Sequence, residues 1–303
     1  MKVLVTGGAG FIGSRIVHLL LSEGHIPIVL DDFSNGRKEN LPCGVKVFKR
    51  KLSSKKVKDI FERERPDIVM HLAAQVNVTE SLIKPAEDAA VNISGTVKLL
   101  EYSSRYGVKK FIFSSSSAVY GETRDTLHEE NPTSPLSFYG ASKSAAETYI
   151  RLFHTLHGLP YTIFRYANVY GPGQRSDGEG GVISIFVEQL LQNQPPVIFG
   201  DGSQTRDFVY VDDVARANLL AMTKADNQIL NIGSDTQTSI NDLYSHLSEK
   251  CGLSMEPVYH EKREGDIRHS RLSNEKARSE LTWTPAYDLD EGLAETVDYF
   301  KRI

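Results

Sequence analysis

The chain has 303 residues, 40% of them hydrophobic and 24% charged, enough for one large or two modest domains, each with a core. With 39 acidic against 35 basic side chains and a net charge of −4, it lacks the basic surface that a nucleic-acid partner demands. Cys43 and Cys251, the two cysteines, argue against a disulfide framework and fit a reducing cytoplasm. No apolar run is long enough to span a bilayer, and no charged-then-apolar leader precedes the first apolar residues.

Residues 2–5 read as a short buried strand, followed directly by Thr6-Gly7-Gly8-Ala9-Gly10-Phe11-Ile12-Gly13. Ile16, Val17, Leu19, Leu20 and Leu21 then continue as a helix. In this strand–turn–helix context the glycines let the chain turn tightly and let a pyrophosphate approach the free N–H groups of the helix N-terminus. The spacing Gly7-x-x-Gly10-x-x-Gly13 differs from the commoner G-x-G-x-x-G.

A second strand, 26–30, ends in Asp31-Asp32. An acid there is placed to accept hydrogen bonds from ribose hydroxyls and would repel a 2′-phosphate, which favours NAD over NADP. Arg37 and Lys38 keep NADP open, and Asp31 can also be read as a strand-end turn residue. A third strand follows at 45–48 and a charge-rich helix at 53–65. The basic run from Lys49 reads as a solvated face.

The fourth strand, 67–71, opens into Leu72-Ala73-Ala74, small enough for a cofactor to lie against the backbone. His71 reads as structural. One long helix is expected at 87–106, then a fifth strand at 109–113 that delivers the serines at 114–117, and a sixth at 161–164. Strands alternating with helices predict a doubly wound parallel α/β sheet. Ligands of such sheets bind beyond the carboxyl ends of the strands, where the glycine loop, Asp31, the serines and Asn168 all fall.

Tyr139-Gly-Ala-Ser-Lys143 opens a helical pattern that runs through Ala145, Ala146, Tyr149, Ile150 and Phe153. Tyr139 and Lys143 therefore stand one turn apart on one face. The ammonium favours the phenolate, and such a tyrosine can take a proton from an alcohol while a hydride leaves the same carbon. The plain alternative is a Tyr and a Lys decorating a surface helix.

After residue 165 the pattern loosens. Loops at 171–173 and 177–181 precede a helix at 182–191, strands at 207–211 and 229–232, and short helices at 240–251, 274–281 and 290–301. A first domain at 1–165 and a smaller C-terminal α/β substrate domain at 166–303 are expected, with the chain returning to the first around 206–236. No metal-ligand set stands out.

Along nearly its whole length the chain resembles the extended short-chain dehydrogenase/reductase family, and within it the UDP-hexose 4-epimerases. The motifs that carry this are Thr6–Gly13, His71–Ala74, Ser114-Ser-Ser-Ser-Ala-Val-Tyr-Gly121, Tyr139–Lys143, Arg165-Tyr-Ala-Asn-Val-Tyr-Gly-Pro172 and Arg263-Glu-Gly-Asp266. The resemblance implies a Rossmann sheet in which Gly7, Gly10, Phe11, Ile12, Gly13, Asp31, Asn35, Leu72, Ala73, Lys84, Lys143 and Tyr166 contact NAD. Ser116, Tyr139 and Lys143 would be catalytic. Asn168, Arg206, Arg263 and Asp266 would hold the phosphates and ribose of a UDP-sugar. Two arginines suit a pyrophosphate because each offers a planar fork of donors. Where the family often has an acid after the third strand to read adenine, this chain has Lys51-Leu52.

The implied reaction is inversion at C4 through a 4-keto sugar that turns about its diphosphate. Dehydratases and decarboxylases of the family carry acids where this chain has Ser117 and Ala118. A UDP-glucuronate 4-epimerase usually has Thr in place of Asn168 and needs a cation for the carboxylate, for which Arg175 is the candidate. A dinucleotide sensor without chemistry would usually lose the Tyr/Lys pair. By the same resemblance Ser270 occupies a pocket-gating position where a bulky Tyr excludes N-acetyl sugars. A small residue admits them, so UDP-GlcNAc/UDP-GalNAc as well as UDP-Glc/UDP-Gal are expected as substrates. The helices 87–106 and 139–155 are expected to pack against their copies in a homodimer.

Overall fold

The structure is a computed structural model that describes all residues except 124, 178–180, 254, 263–266 and 303. The expected Arg263 and Asp266 therefore lie outside the described residues.

Seven parallel strands form the main sheet: β1 (Lys2–Thr6), β2 (Ile26–Asp31), β3 (Lys46–Lys49), β4 (Ile68–His71), β5 (Lys110–Ser116), β6 (Tyr161–Tyr166) and β11 (Gln228–Ile232). Their spatial order is β11-β6-β5-β4-β1-β2-β3. The succession runs one way from β1 through β3 and the other way from β4, so the crevice between β1 and β4 is the topological switch point, where open α/β sheets bind their ligands. The sheet is a doubly wound parallel one, as the alternation of strands and helices predicts.

Helices α1 (Phe11–Ser22), α8 (Val211–Leu220) and α10 (Glu275–Leu281) cover one face, around a core of Val3, Ile16, Leu20, Val214 and Trp283. The other face carries α2 (Val57–Glu64), α5 (Gly95–Arg105) and α6 (Phe138–His157), packed on Leu4, Phe61, Leu99, Phe111 and Ile150. Short helices α3 (Val78–Ile83) and α4 (Pro85–Ala89) lie beside the N-terminal half of α6. A third core, with Tyr170, Phe186, Leu190 and Leu243, joins α7 (Val182–Leu191), α9 (Ile240–Cys251) and α11 (Leu289–Arg302).

Three two-stranded ribbons complete this part: β7 (Asn168–Tyr170) with β10 (Phe208–Tyr210), β9 (Thr205–Arg206) with β12 (Thr238–Ser239), and β8 (Val197–Phe199) with β13 (Val258–His260). No helix among the described residues is long and apolar enough to cross a membrane.

Two readings of the sequence need correction. Residues 87–106 are not one regular helix: α4 passes through a π turn at Ala90–Ser94 before α5 begins. The turn directs Asn92 inward, where its amide is fully used, and such turns often sit at functional sites. The strand read at 207–211 ends at Tyr210, and α8 starts at once, its Val214, Ala215, Ala217 and Asn218 buried against the sheet.

Candidate active site

The glycine loop occupies the switch point. A Cβ on Gly7 would lie 2.7 Å from the Ala73 nitrogen, and Gly7 has φ +69°, so both space and conformation call for glycine. A Cβ on Gly13 would come within 2.1 Å of the Gly7 carbonyl, which lets α1 start flush against the loop. Gly10 caps α1 without a side-chain acceptor, and no acid stands in the first turn. The helix start around Phe11 and Ile12, with no capping side chain, thus suits an anion such as a pyrophosphate.

Asp31 is buried at the end of β2. Its carboxylate accepts the Ala9 N–H (2.9 Å) and the Phe33 N–H (2.8 Å), tying the glycine loop to the loop after β2. Burial raises its pKa despite these two bonds. Each oxygen retains a lone pair for a ribose hydroxyl, so the turn-forming and ribose-binding readings of Asp31 are compatible. Asn35 stands exposed nearby, and its carbonyl accepts a bond from Arg175 (3.3 Å). Leu72 and Ala73, half-buried, both donate their N–H to the Thr6 carbonyl (3.1 Å each) and so form the opposite wall.

The catalytic candidates converge at the end of β5. Ser137 caps α6 (Gly140 N–H to its hydroxyl, 3.1 Å), which starts the helix at Phe138 and puts Tyr139 in its first turn. The Lys143 ammonium lies 5.8 Å from the centre of the Tyr139 ring and donates to the Ser114 carbonyl at 2.7 Å. Ser116, half-buried, ends β5 and accepts the Ala118 N–H (3.2 Å). Lys143 is buried, and desolvation lowers its pKa to about 8 against the opposing pull of Asp88 and Glu147. A lysine so poised sets the proton affinity of a neighbouring phenol.

Other expected residues are placed differently. Tyr166 is buried with its hydroxyl engaged by Ser114 (3.2 Å) and Asn218 (2.8 Å), and burial pushes its pKa up to about 12. That leaves its backbone, not its hydroxyl, for a cofactor. Lys84 lies on the surface between α3 and α4, paired with Glu80 (3.0 Å) and Glu87 (3.8 Å). Asn168, Arg206 and Ser270 do come together. Asn168 pairs with Phe208, just beyond Arg206, and its N–H donates to the Asp207 carbonyl (2.9 Å). Ser270 donates its N–H to the carbonyl of Thr205 (3.2 Å), the residue before Arg206. Arg206 itself donates to the Thr205 carbonyl at 2.9 Å.

Several buried groups escaped the reading of the sequence. Asp207 accepts the N–H groups of Ser234, Asp235 and Leu272 and the Ser234 hydroxyl, at 2.7–3.3 Å, and burial raises its pKa to about 6. It anchors the segment that carries Ser270. Glu147 falls at the next helical position after Tyr139 and Lys143, a signal that the spacing alone offered. Asn92 offered none, because a single polar residue in an apolar helix pattern does not announce a π turn.

Residues 3–233 match the NAD dependent epimerase/dehydratase family. The chain belongs to that family. It is an NAD-dependent enzyme of the extended short-chain dehydrogenase/reductase type, as its resemblance implied. It is similar to the UDP-glucose 4-epimerase of Mycolicibacterium smegmatis, with 41% identity over 99% of both chains. The crystal structure of UDP-glucose 4-epimerase from Thermotoga maritima with UDP-glucose superposes with a TM-score of 0.98 and 47% identity, covering 100% of this chain and 99% of that one. UDP-N-acetylglucosamine 4-epimerase from Methanobrevibacter ruminantium, in complex with UDP-N-acetylmuramic acid, matches with a TM-score of 0.95 and 36% identity over 99% and 98% of the two chains. The uncapped α1 terminus, the close approach allowed at Gly7 and the acid ending β2 all fit NAD in the switch-point crevice.

Proposed function

We propose that the protein is a 4-epimerase of UDP-sugars that interconverts UDP-GlcNAc with UDP-GalNAc and also UDP-Glc with UDP-Gal. The observation that carries this is the Tyr139–Lys143 pair, which Lys143 ties to the Ser114 carbonyl on β5, the strand that ends in Ser116. NAD supplies the hydride acceptor that becomes the hydride donor later in the same turnover. Tyr139 takes the C4 hydroxyl proton, directly or through Ser116, and returns it after the ketone has turned its other face. Lys143 holds the phenol's proton affinity down. Asn168 and Arg206, with Arg263 and Asp266, are the proposed anchors of the nucleotide, while few contacts hold the sugar, because it must rotate.

Ser270 supports the N-acetyl series. It is buried next to the ribbon that carries Arg206, and a serine there occupies far less volume than a tyrosine would. The glucuronate reading is weakened because Arg175 already holds Asp177 through two nitrogens (2.6 and 2.7 Å). In the exposed part of α6, Tyr149, Leu152 and Leu156 share a face and leave 42%, 48% and 70% of their surfaces uncovered, which supports a homodimer across this face. Two free cysteines fit a cytoplasmic location.

The test is to incubate the purified protein separately with UDP-Gal, UDP-GalNAc and UDP-GlcA, without added NAD, and follow the anomeric signals by NMR. Conversion of the first two is expected. Conversion of UDP-GlcA alone would overturn the substrate assignment, and a need for stoichiometric added NAD would point to a net dehydrogenase.

A further inference from the structure

His71 ends β4 at the switch point, 1% exposed, between two threonines that are fully buried. Its Nδ1 lies 2.7 Å from the Thr6 hydroxyl and its Nε2 lies 2.9 Å from the Thr96 hydroxyl. One proton assignment satisfies all the bonds. Thr96 has a single hydroxyl proton, and it goes to the Asn92 carbonyl at 2.6 Å. The Thr96 oxygen must then accept from His71, so Nε2 carries the proton. Nδ1 is left bare and accepts the Thr6 hydroxyl proton, while the Thr6 oxygen accepts the Ala73 N–H (3.2 Å). The ring is neutral, since burial first and the charge on Lys143 second push its pKa down to about 3.

This string does not stop at Asn92. Thr96 bonds the main-chain carbonyl of Asn92; the Asn92 side-chain amide oxygen accepts the Gln75 N–H (2.9 Å), and its two N–H protons are shared among the Gln75 carbonyl (2.9 Å), Asp88 (3.1 Å) and the Ser142 hydroxyl (3.0 Å). Ser142 in turn donates to the Tyr139 carbonyl at 2.9 Å. At its other end the string reaches Thr6, the last residue before the glycine loop, and Ala73, the residue against which Gly7 packs.

We propose that His71 is a positioning residue: locked as the Nε2–H tautomer, it ties the strand end that leads into the glycine loop to the helix turn that carries Tyr139. Cofactor seat and proton-transferring phenol are then set against each other by two runs of hydrogen bonds that meet at Asn92, one at its main-chain carbonyl and the other at its side-chain amide. A histidine suits the task because it offers one acceptor and one donor on opposite sides of a rigid ring. The Thr6 arm serves the cofactor wall, and the Thr96 arm, through the π turn, serves the catalytic helix. The proposal rests on the epimerase reading for its turnover measurement alone.

Three measurements test it on the full chain. The 15N spectrum of the His71 ring is expected to show a protonated Nε2 and a bare Nδ1, unchanged between pH 5 and 8. The shape-conserving variant Thr96→Val is expected to lower turnover at saturating NAD about tenfold or more while NAD affinity, by calorimetry, stays within about twofold. Thr6→Val is expected to show the reverse, about tenfold weaker NAD binding with less loss of saturated turnover. Thr96→Ser, which keeps the hydroxyl, should restore turnover, and Thr96→Ala stands in for the loss if the valine variant does not fold. An Nδ1–H or doubly protonated ring overturns the proposal. So does an equal loss of NAD affinity and turnover in both valine variants, the pattern of a ring that only fills space. If the wild-type chain turned over no UDP-sugar, the substrate reading would fail, while the ring spectrum and the NAD affinities would still decide this proposal.

Discussion

Glu147 stands one helical turn beyond Lys143 and holds Arg165 of β6 through both carboxylate oxygens, at 3.1 and 2.7 Å, with both side chains almost wholly buried. Ser115 adds a third bond to the carboxylate (2.5 Å), Arg165 donates onward to the Glu129 carbonyl (3.1 Å), and its guanidinium lies 4.6 Å from the centre of the Tyr120 ring. The pair thus fixes α6 to the sheet and to the 127–131 segment, which in turn pairs with 271–273. A buried pair whose remaining valences are filled is costly to break from one side only.

Glu147→Gln is therefore expected to destabilise the protein by about 3–5 kcal/mol, because it strands a buried guanidinium. Urea unfolding gives the value. The double variant Glu147→Leu with Arg165→Met should recover a large part of the loss; additive losses would show that the pair is not coupled.

The lowered pKa of Lys143 predicts an alkaline limit to turnover near pH 8, above which its ammonium is lost. Asp88 opposes the desolvation of Lys143, so Asp88→Asn should move this limit to lower pH. A pH–rate profile of both proteins checks it, and an unmoved limit would detach Asp88 from Lys143.

Tyr139→Phe removes the proposed proton acceptor and leaves the helix and the glycine loop intact. Turnover should fall by about 10²–10⁴-fold while bound NAD, measured after its release from the protein, stays at the wild-type amount.

Asp207 gives a pH dependence of opposite origin to a surface carboxylate. Its pKa is raised by burial to about 6, so between pH 4 and 6 the folded chain holds this proton more strongly than the unfolded chain. Its contribution is fully present below that window and is lost as the pH rises through 6. The stability advantage of the wild type over Asp207→Asn should shrink from pH 4 to pH 6, as denaturant midpoints across that range would show.

If Ser270 is the proposed gate, Ser270→Tyr should abolish turnover of UDP-GalNAc and spare UDP-Gal. Equal loss of both would remove Ser270 from the pocket.

The strands of the sheet were legible because they are short apolar runs bounded by turn residues, and the glycine loop because three glycines sit between a strand and a helix. The Tyr139–Lys143 juxtaposition followed from helical spacing alone. The π turn did not: an extra residue turns the apolar face by about 100°, but Pro85–Ala89 before it carries no large apolar side chain against which the shift could be read. The helix at Val211–Leu220 was hidden because it begins immediately at the end of a strand, with no turn residue to separate them. The engaged hydroxyl of Tyr166 was also out of reach, since its partners Ser114 and Asn218 are brought near only by the sheet and by α8.

Because β11 (Gln228–Ile232) lies outside β6 in the sheet, the complete seven-stranded sheet cannot be obtained by cutting the gene after the sixth strand. A polypeptide ending at Tyr166 would present six residues, every one interior in the intact molecule, as a bare hydrogen-bonding edge. Such a fragment would self-associate rather than fold, so dissection of this enzyme has to proceed by point substitution or by keeping the later strand in place.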